Sequence, residues 1–162
     1  MSSSKENRPT AAAAFSRYLR SGVRSTCEAV AYLRRRGVSS ETAARLVKSG
    51  VTRGLLDDHA AARLWTEHFV EQGYAAAAIH EKLLAKGFDE TVITRAVSRC
   101  APASSEEARA RTVADRHAKA PAGPRAAARI TRALAARGFD AEMIERVVNE
   151  RLACTSIEES TA

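Results

Sequence analysis

Apolar residues in this chain recur in pairs four apart, and the pairs themselves recur at a near-constant distance. Ala29 and Leu33, Ile79 and Leu83, and Ile130 and Leu134 are three such pairs. Residues four apart lie one turn apart on the same helical face. Each pair runs into a similar heptapeptide: Leu33-Arg34-Arg35-Arg36-Gly37-Val38-Ser39, Leu83-Leu84-Ala85-Lys86-Gly87-Phe88-Asp89, and Leu134-Ala135-Ala136-Arg137-Gly138-Phe139-Asp140. A second apolar pair follows each time: Ala43 and Val47, Ile93 and Val97, Ile144 and Val148. The glycines stand 50 and then 51 residues apart. A period of this size is the mark of a repeat protein.

Each position of the heptapeptide has a physical role. Gly37, Gly87 and Gly138 fit the residue after a helix end, where left-handed geometry carries no Cβ clash. The leucines then fall three positions inside that end. Val38, Phe88 and Phe139 fall two positions beyond it, placed for the apolar contact of a Schellman stop. The basic residue before each glycine faces the negative end of the helix dipole. Ser39, Asp89 and Asp140 are N-caps for the next helix. The pattern predicts helix, tight turn, helix, three times.

The rest of the chain fills in around these hairpins. Thr10 to Arg20 reads as a helix with Phe15 and Leu19 on one face, ended by Gly22. Ser25-Thr26-Cys27-Glu28 is a capping box. The helix from Ser39 is expected to stop near Gly50, with a connector from Val51 to Leu56. Either Asp57 or Asp58 then caps a helix to about Gln72, with Leu64, Trp65 and Phe69 as its apolar stripe and Trp65 largely buried. Gly73-Tyr74 breaks the chain, and the helix from Asp89 reaches about Arg99. Ser104-Ser105-Glu106-Glu107 reads as a second capping box, for a polar helix to about Lys119. Pro121-Ala122-Gly123-Pro124 is a linker. The last helix pair is expected to end near Ala153. Starting each unit one helix before its hairpin leaves no helix over. The expected fold is therefore all-α, three tandem three-helix repeats forming an extended curved array. The units span 10–50, 55–100 and 104–153. A disordered polar tail, 1–9, precedes them and a polar tail, 154–162, follows. Leu33, Leu83, Leu134, Phe88, Phe139, Ile93 and Ile144 are the expected core. Arg45, Arg95 and Arg146 recur at one position of the second hairpin helix and read as a solvated face.

Composition narrows the chemistry. Of the 162 residues, 45% are hydrophobic but only 5% aromatic, so the core should be thin, alanine-rich and closely packed. The formal charge of +7 and a pI near 9.8 favour an acidic partner, nucleic acid first. No apolar run approaches the ~20 residues of a membrane span. Met1 to Arg8 lacks the apolar stretch of a signal peptide, so a cytoplasmic location is expected. The three cysteines, Cys27, Cys100 and Cys154, contain no C-x-x-C pair, which argues against a disulfide framework or zinc site. His59, His68, His80 and His117 form no H-E-x-x-H motif. No nucleophile–base pair, phosphate loop or metal cluster stands out, so neither a cofactor nor an enzymatic activity is expected.

At this point the chain resembles the RecX family of recombination regulators. Ser25, Glu28 and Leu33 match its S-x-x-E-L-x-x-x-L pattern, with Ala29 in place of a leucine. Leu56-Asp57-Asp58 matches an L-D-D. Gly73, Tyr74, Ile79, Leu83, Lys86 and Gly87 match its G-Y-G-P-x-x-I-x-x-E-L-x-x-K-G, from which Ala75, Ala76 and Lys82 depart. Arg137-Gly138-Phe139 and Ile144 match its last turn. Ala61 stands where the family often has an aromatic. The resemblance covers nearly all of 10–153. It implies a non-catalytic protein that binds filaments of the RecA recombinase on DNA and lies along their groove. It implies inhibition of ATP hydrolysis, strand exchange and co-protease activity, hence a role in DNA repair, homologous recombination and the SOS response. A monomer is expected, with direct contact to DNA left open. The contacts with filament or phosphate are assigned to Arg34, Arg35, Arg36, Lys86, Arg109, Arg111 and Arg116. Gly37, Gly87, Gly138, Asp57 and Asp58 are assigned structural turn and cap roles. The alternative from charge and helix pairing alone is a stand-alone helical-repeat DNA-binding protein.

Overall fold

The structure is a computed structural model that describes residues 10–118 and 123–159, with side chains described to Ala153. The expected tail at 1–9 and half of the expected linker, 121–122, lie outside the described residues, as does Lys119. Every regular element among the described residues is helical. They are α1 (Ala11–Arg20), α2 (Thr26–Arg35), α3 (Ser40–Thr52), α4 (Asp58–Glu71), α5 (Ala76–Ala85), α6 (Glu90–Cys100), a 3-10 turn (Ala103–Ser105), α7 (Glu106–His117), α8 (Pro124–Ala135) and α9 (Ala141–Glu159).

The heptapeptide turns close as their chemistry dictates. The backbone N–H groups of Val38, Phe88 and Phe139 donate to the carbonyls of Leu33, Leu83 and Leu134 at 3.2, 3.3 and 3.3 Å. The glycine N–H groups donate to Arg34, Leu84 and Ala135 at 2.9, 2.8 and 3.0 Å. This is the paired bonding of a Schellman stop, with φ between +75° and +79° at all three glycines. Ser25 and Glu28 form the expected capping box, each side chain bonded to the other's backbone N–H. Ser39 and Asp89 cap α3 and α6.

Buried side chains form three clusters, and each is lined by three successive helices. Phe15, Ala29, Leu33, Ala43, Val47 and Leu56 make the first, among α1–α3. Ala62, Phe69, Ile79, Leu83, Phe88 and Ile93 belong to the second, among α4–α6. Ala110, Val113, Ile130, Leu134, Phe139 and Val147 belong to the third, among α7–α9. Leu33, Leu83, Leu134 and Ile93 are all fully buried. Alanines at the helix contacts let the backbones approach closely, as the low aromatic content required.

Several expectations are corrected. The helix expected to stop near Gly50 runs two residues further, to Thr52, because Gly54 supplies the left-handed turn (φ +67°). Gly50 instead lies inside α3, where an added Cβ would stand 3.3 Å from both Phe15 and Leu56. The second capping box does not form. A 3-10 turn precedes α7, and no side chain caps it. α9 runs to Glu159, past the expected end near Ala153. Ile144 is half-buried, and Val147, three residues on, takes the fully buried place. Trp65 is also only half-buried, and Leu64 is 44% exposed, so the stripe of α4 is instead Ala62, Thr66 and Phe69.

Candidate functional site

The side chains assigned to turns and caps do more than end helices: they join one helix group to the next. Asp57 caps α4 through His59 and Ala60 N–H. Asp58 reaches back and accepts from Thr26 N–H at 2.8 Å and Thr26 Oγ1 at 2.7 Å, so it caps α2 from 32 residues away. Glu106 does the same one group later, accepting from Ala76 N–H at the start of α5 at 2.7 Å. A carboxylate at a helix N-terminus satisfies free N–H groups and complements the dipole.

The Gly87 and Gly138 turns complete the two joints. Ser25 Oγ donates to the Lys86 carbonyl at 2.7 Å, and Ala75 N–H donates to the Arg137 carbonyl at 3.0 Å. A Cβ on Gly87 would lie 2.6 Å from Cys27 Sγ, and one on Gly138 would lie 2.6 Å from Ala78 Cβ. Only glycine permits both the turn and this approach. Arg137 Nε also donates to the Gln72 carbonyl at 3.0 Å. At Gly37 nothing lies within 4 Å of an added Cβ, so the first turn is open to solvent.

The basic residues assigned to binding separate into two kinds. Lys86 is held in the first joint, 3.6 Å from Glu28 Oε1 and 3.6 Å above the centre of the Trp65 ring. Arg109 is 9% exposed, donates to Ser105 Oγ at 2.7 Å and faces Glu106 at 3.9 Å. Burial pulls its pKa below the ordinary arginine value, though the neighbouring Glu106 opposes this. Arg111 grips Glu150 with two bonds, 2.9 and 3.1 Å, and also contacts Glu107. Its hydrogen bond from the guanidinium holds the Glu150 carboxyl below its ordinary range. These three cations serve the fold.

Arg34, Arg35, Arg36 and Arg116 are exposed and make no ion pair with a described residue. Arg36 stacks on the Tyr32 ring at 4.8 Å, and Tyr32 stacks on Tyr18 at 4.0 Å. Arg24 covers Tyr18 at 5.0 Å. The open Gly37 turn thus carries three guanidinium groups beside an aromatic pair, available for acidic or phosphate groups.

One arrangement escaped the sequence reading. His59 and Arg63 on α4 face Arg95 and Arg99 on α6 across a cleft. The spacing i, i+4 on two helices was the available signal, but only the packing of α4 on α6 brings the two rows together. Among the described residues no group of three or more His, Cys, Asp or Glu side chains can hold a metal ion. None of the described helices is long and apolar enough to cross a membrane.

No protein-family model and no curated protein sequence matches the chain. Solved structures do. The crystal structure of RecX from Lactobacillus salivarius superimposes with a TM-score of 0.70 at 18% identity, over 89% of this chain and 95% of that one. A second crystal structure, of regulatory protein RecX, gives 0.66 at 22% identity, over 86% of this chain and 70% of that one. The chain therefore has the all-helical fold seen in RecX structures.

Proposed function

We propose that this chain is a RecX-type regulator that binds the RecA recombinase filament on DNA without catalysing a reaction itself. It would inhibit the filament's ATPase, strand-exchange and co-protease activities, and so act in DNA repair, recombination and the SOS response. The observation that carries this reading is the likeness to RecX structures over most of both chains. Gly87, Gly138 and Asp58 lie at the joints between helix groups, and Leu33, Ile79 and Leu83 are buried, which adds support.

In this reading the helix groups at 10–50, 55–100 and 104–153 act as three units of one row, in the cytoplasm, each chain a monomer. The Asp58 and Glu106 caps tie the row together, so it meets a partner as a pre-formed surface at low entropic cost. The Arg34, Arg35 and Arg36 cluster supplies electrostatic contact, with Arg116 on the third group. Lys86, Arg109 and Arg111 hold the row in shape. Positive charge speeds approach to a DNA-bearing filament. The test is the DNA-dependent ATPase rate of RecA with this chain titrated in, beside co-sedimentation with filaments. A falling rate with co-sedimentation supports the reading. An unchanged rate with no co-sedimentation refutes it.

A further inference from the structure

The cleft between α4 and α6 is a concave site whose polar lining is wholly cationic or imidazole. His59 and Arg63 form one wall, Arg95 and Arg99 the other, with Val92 and Ala96 between them. Its volume is about 230 Å³. Arg95 and Arg99 make no ion pair with a described residue. Arg63 has one partner, Glu67 at 3.6 Å, an exposed i, i+4 contact of the weak kind.

The cleft between α7 and α9 provides an internal comparison. It has a similar volume, about 260 Å³, and is lined by Arg111, Asp115, Glu150 and Arg151 among others. Asp58 and Glu106, which cap α2 and α5 alike, set the register between α4 and α7. In that register buried Ala62 and Thr66 fall on buried Ala110 and Ala114. Arg63 then corresponds to Arg111, and His59 to Glu107. The Gly87 and Gly138 turns set the register between α6 and α9, and there Arg99 corresponds to Glu150. The third group thus has carboxylates where the second has His59 and Arg99. Arg111 bonds both of those carboxylates, and Arg151 Nε pairs with Asp115 at 3.1 Å. One cleft is neutralised from within. Its counterpart presents Arg95 and Arg99 without an ion pair among the described residues, and Arg63 with only the exposed Glu67, the counterpart of Asp115.

We propose that the α4–α6 cleft binds the phosphodiester backbone of single-stranded nucleic acid. Guanidinium forks match phosphate oxygens in geometry as well as charge. Cations stand on both walls, so a backbone entering the cleft is held from two sides. The cleft is far too small for a duplex, which would meet only its rims. No Phe, Tyr or Trp side chain lines it and the His59 imidazole is its one aromatic ring, so the cleft has no stacking platform for successive bases and grips the backbone instead. The site does not rest on the filament reading, because it acts on nucleic acid with no recombinase present.

The test uses the full chain and a short fluorescent oligothymidylate, read by anisotropy across a salt series, without recombinase. With three arginines on phosphates, the slope of log affinity against log salt is expected near −2, from about −0.7 per contact on single strands. Arg99→Glu installs the charge that Glu150 carries in the neutralised cleft, which itself folds stably, and circular dichroism checks that the variant does too. It removes one cation and pairs a second, so the slope is expected to fall to about −0.7. Affinity is expected to drop about tenfold or more. Unchanged binding by folded Arg99→Glu overturns the proposal. So does equal or tighter binding of a duplex. Strong binding of inorganic triphosphate with no binding of the oligonucleotide also overturns it, and marks a free-phosphate site instead. A filament test that fails while this one succeeds leaves the cleft assigned and removes only the recombinase reading.

Discussion

Gly138 sits against Ala78 so closely that a Cβ on the glycine would lie 2.6 Å from the alanine's own. The same glycine has φ +79° and closes the turn between α8 and α9. One residue therefore serves a local turn and a contact with a helix of the preceding group. Gly37 has the same φ range but nothing near it.

That difference gives a stability comparison. Gly37→Ala meets only the left-handed backbone penalty, about 1–2 kcal/mol. Gly138→Ala meets that penalty plus overpacking of about 1–3 kcal/mol. Urea denaturation of the two variants checks this. Equal losses would mean that the joint between α8–α9 and α5 yields without cost.

Much of the fold was legible because the relevant chemistry is local. The Schellman glycines, the Ser25–Glu28 box and the leucines inside each turn depend on neighbours within a few residues. Gly50 misled because glycine marks a helix end and a close approach equally well, and Phe15 and Leu56 select the second meaning only in three dimensions. The joints were illegible for the same reason. Asp58 looks like a cap for the helix it begins, yet it caps α2. The binding residues were the least legible. Arg111 reads as a surface charge until the fold brings Glu150, 39 residues away, into bidentate contact. Arg95 reads as a solvated face until the packing of α4 on α6 places Arg63 opposite it and Arg99.

The Arg111–Glu150 pair predicts a pH dependence. The hydrogen bond from Arg111 lowers the folded pKa of Glu150 below its ordinary value of 4.5. A depressed folded pKa gives stability that is fully present above the unfolded value and is lost as pH falls through the folded one. Glu150→Gln is therefore expected to be less stable than the parent at neutral pH. The gap should close in acid, below the folded pKa of Glu150. Thermal melts across that range check it. A gap independent of pH would show that the pair contributes packing and not charge.

The arginine cluster at the open turn predicts a separation of folding from binding. Reversing Arg34, Arg35 and Arg36 together to Glu opposes the dipole at the end of α2, at a cost of about 1 kcal/mol. The exposed cluster has no ion pair to lose among the described residues, so the fold is expected to survive, as circular dichroism would show. Association with filaments is expected to slow and inhibition to weaken. Full inhibition by the folded triple variant at unchanged concentration would place binding on the second and third helix groups.

The most direct measurement of the account is the ATP hydrolysis rate of RecA on single-stranded DNA as this chain is added. The account predicts a rate that falls with concentration, while the chain pellets with the filaments. It also predicts that the chain without recombinase hydrolyses no ATP. A rate that stays constant, with the chain left in the supernatant, would contradict it.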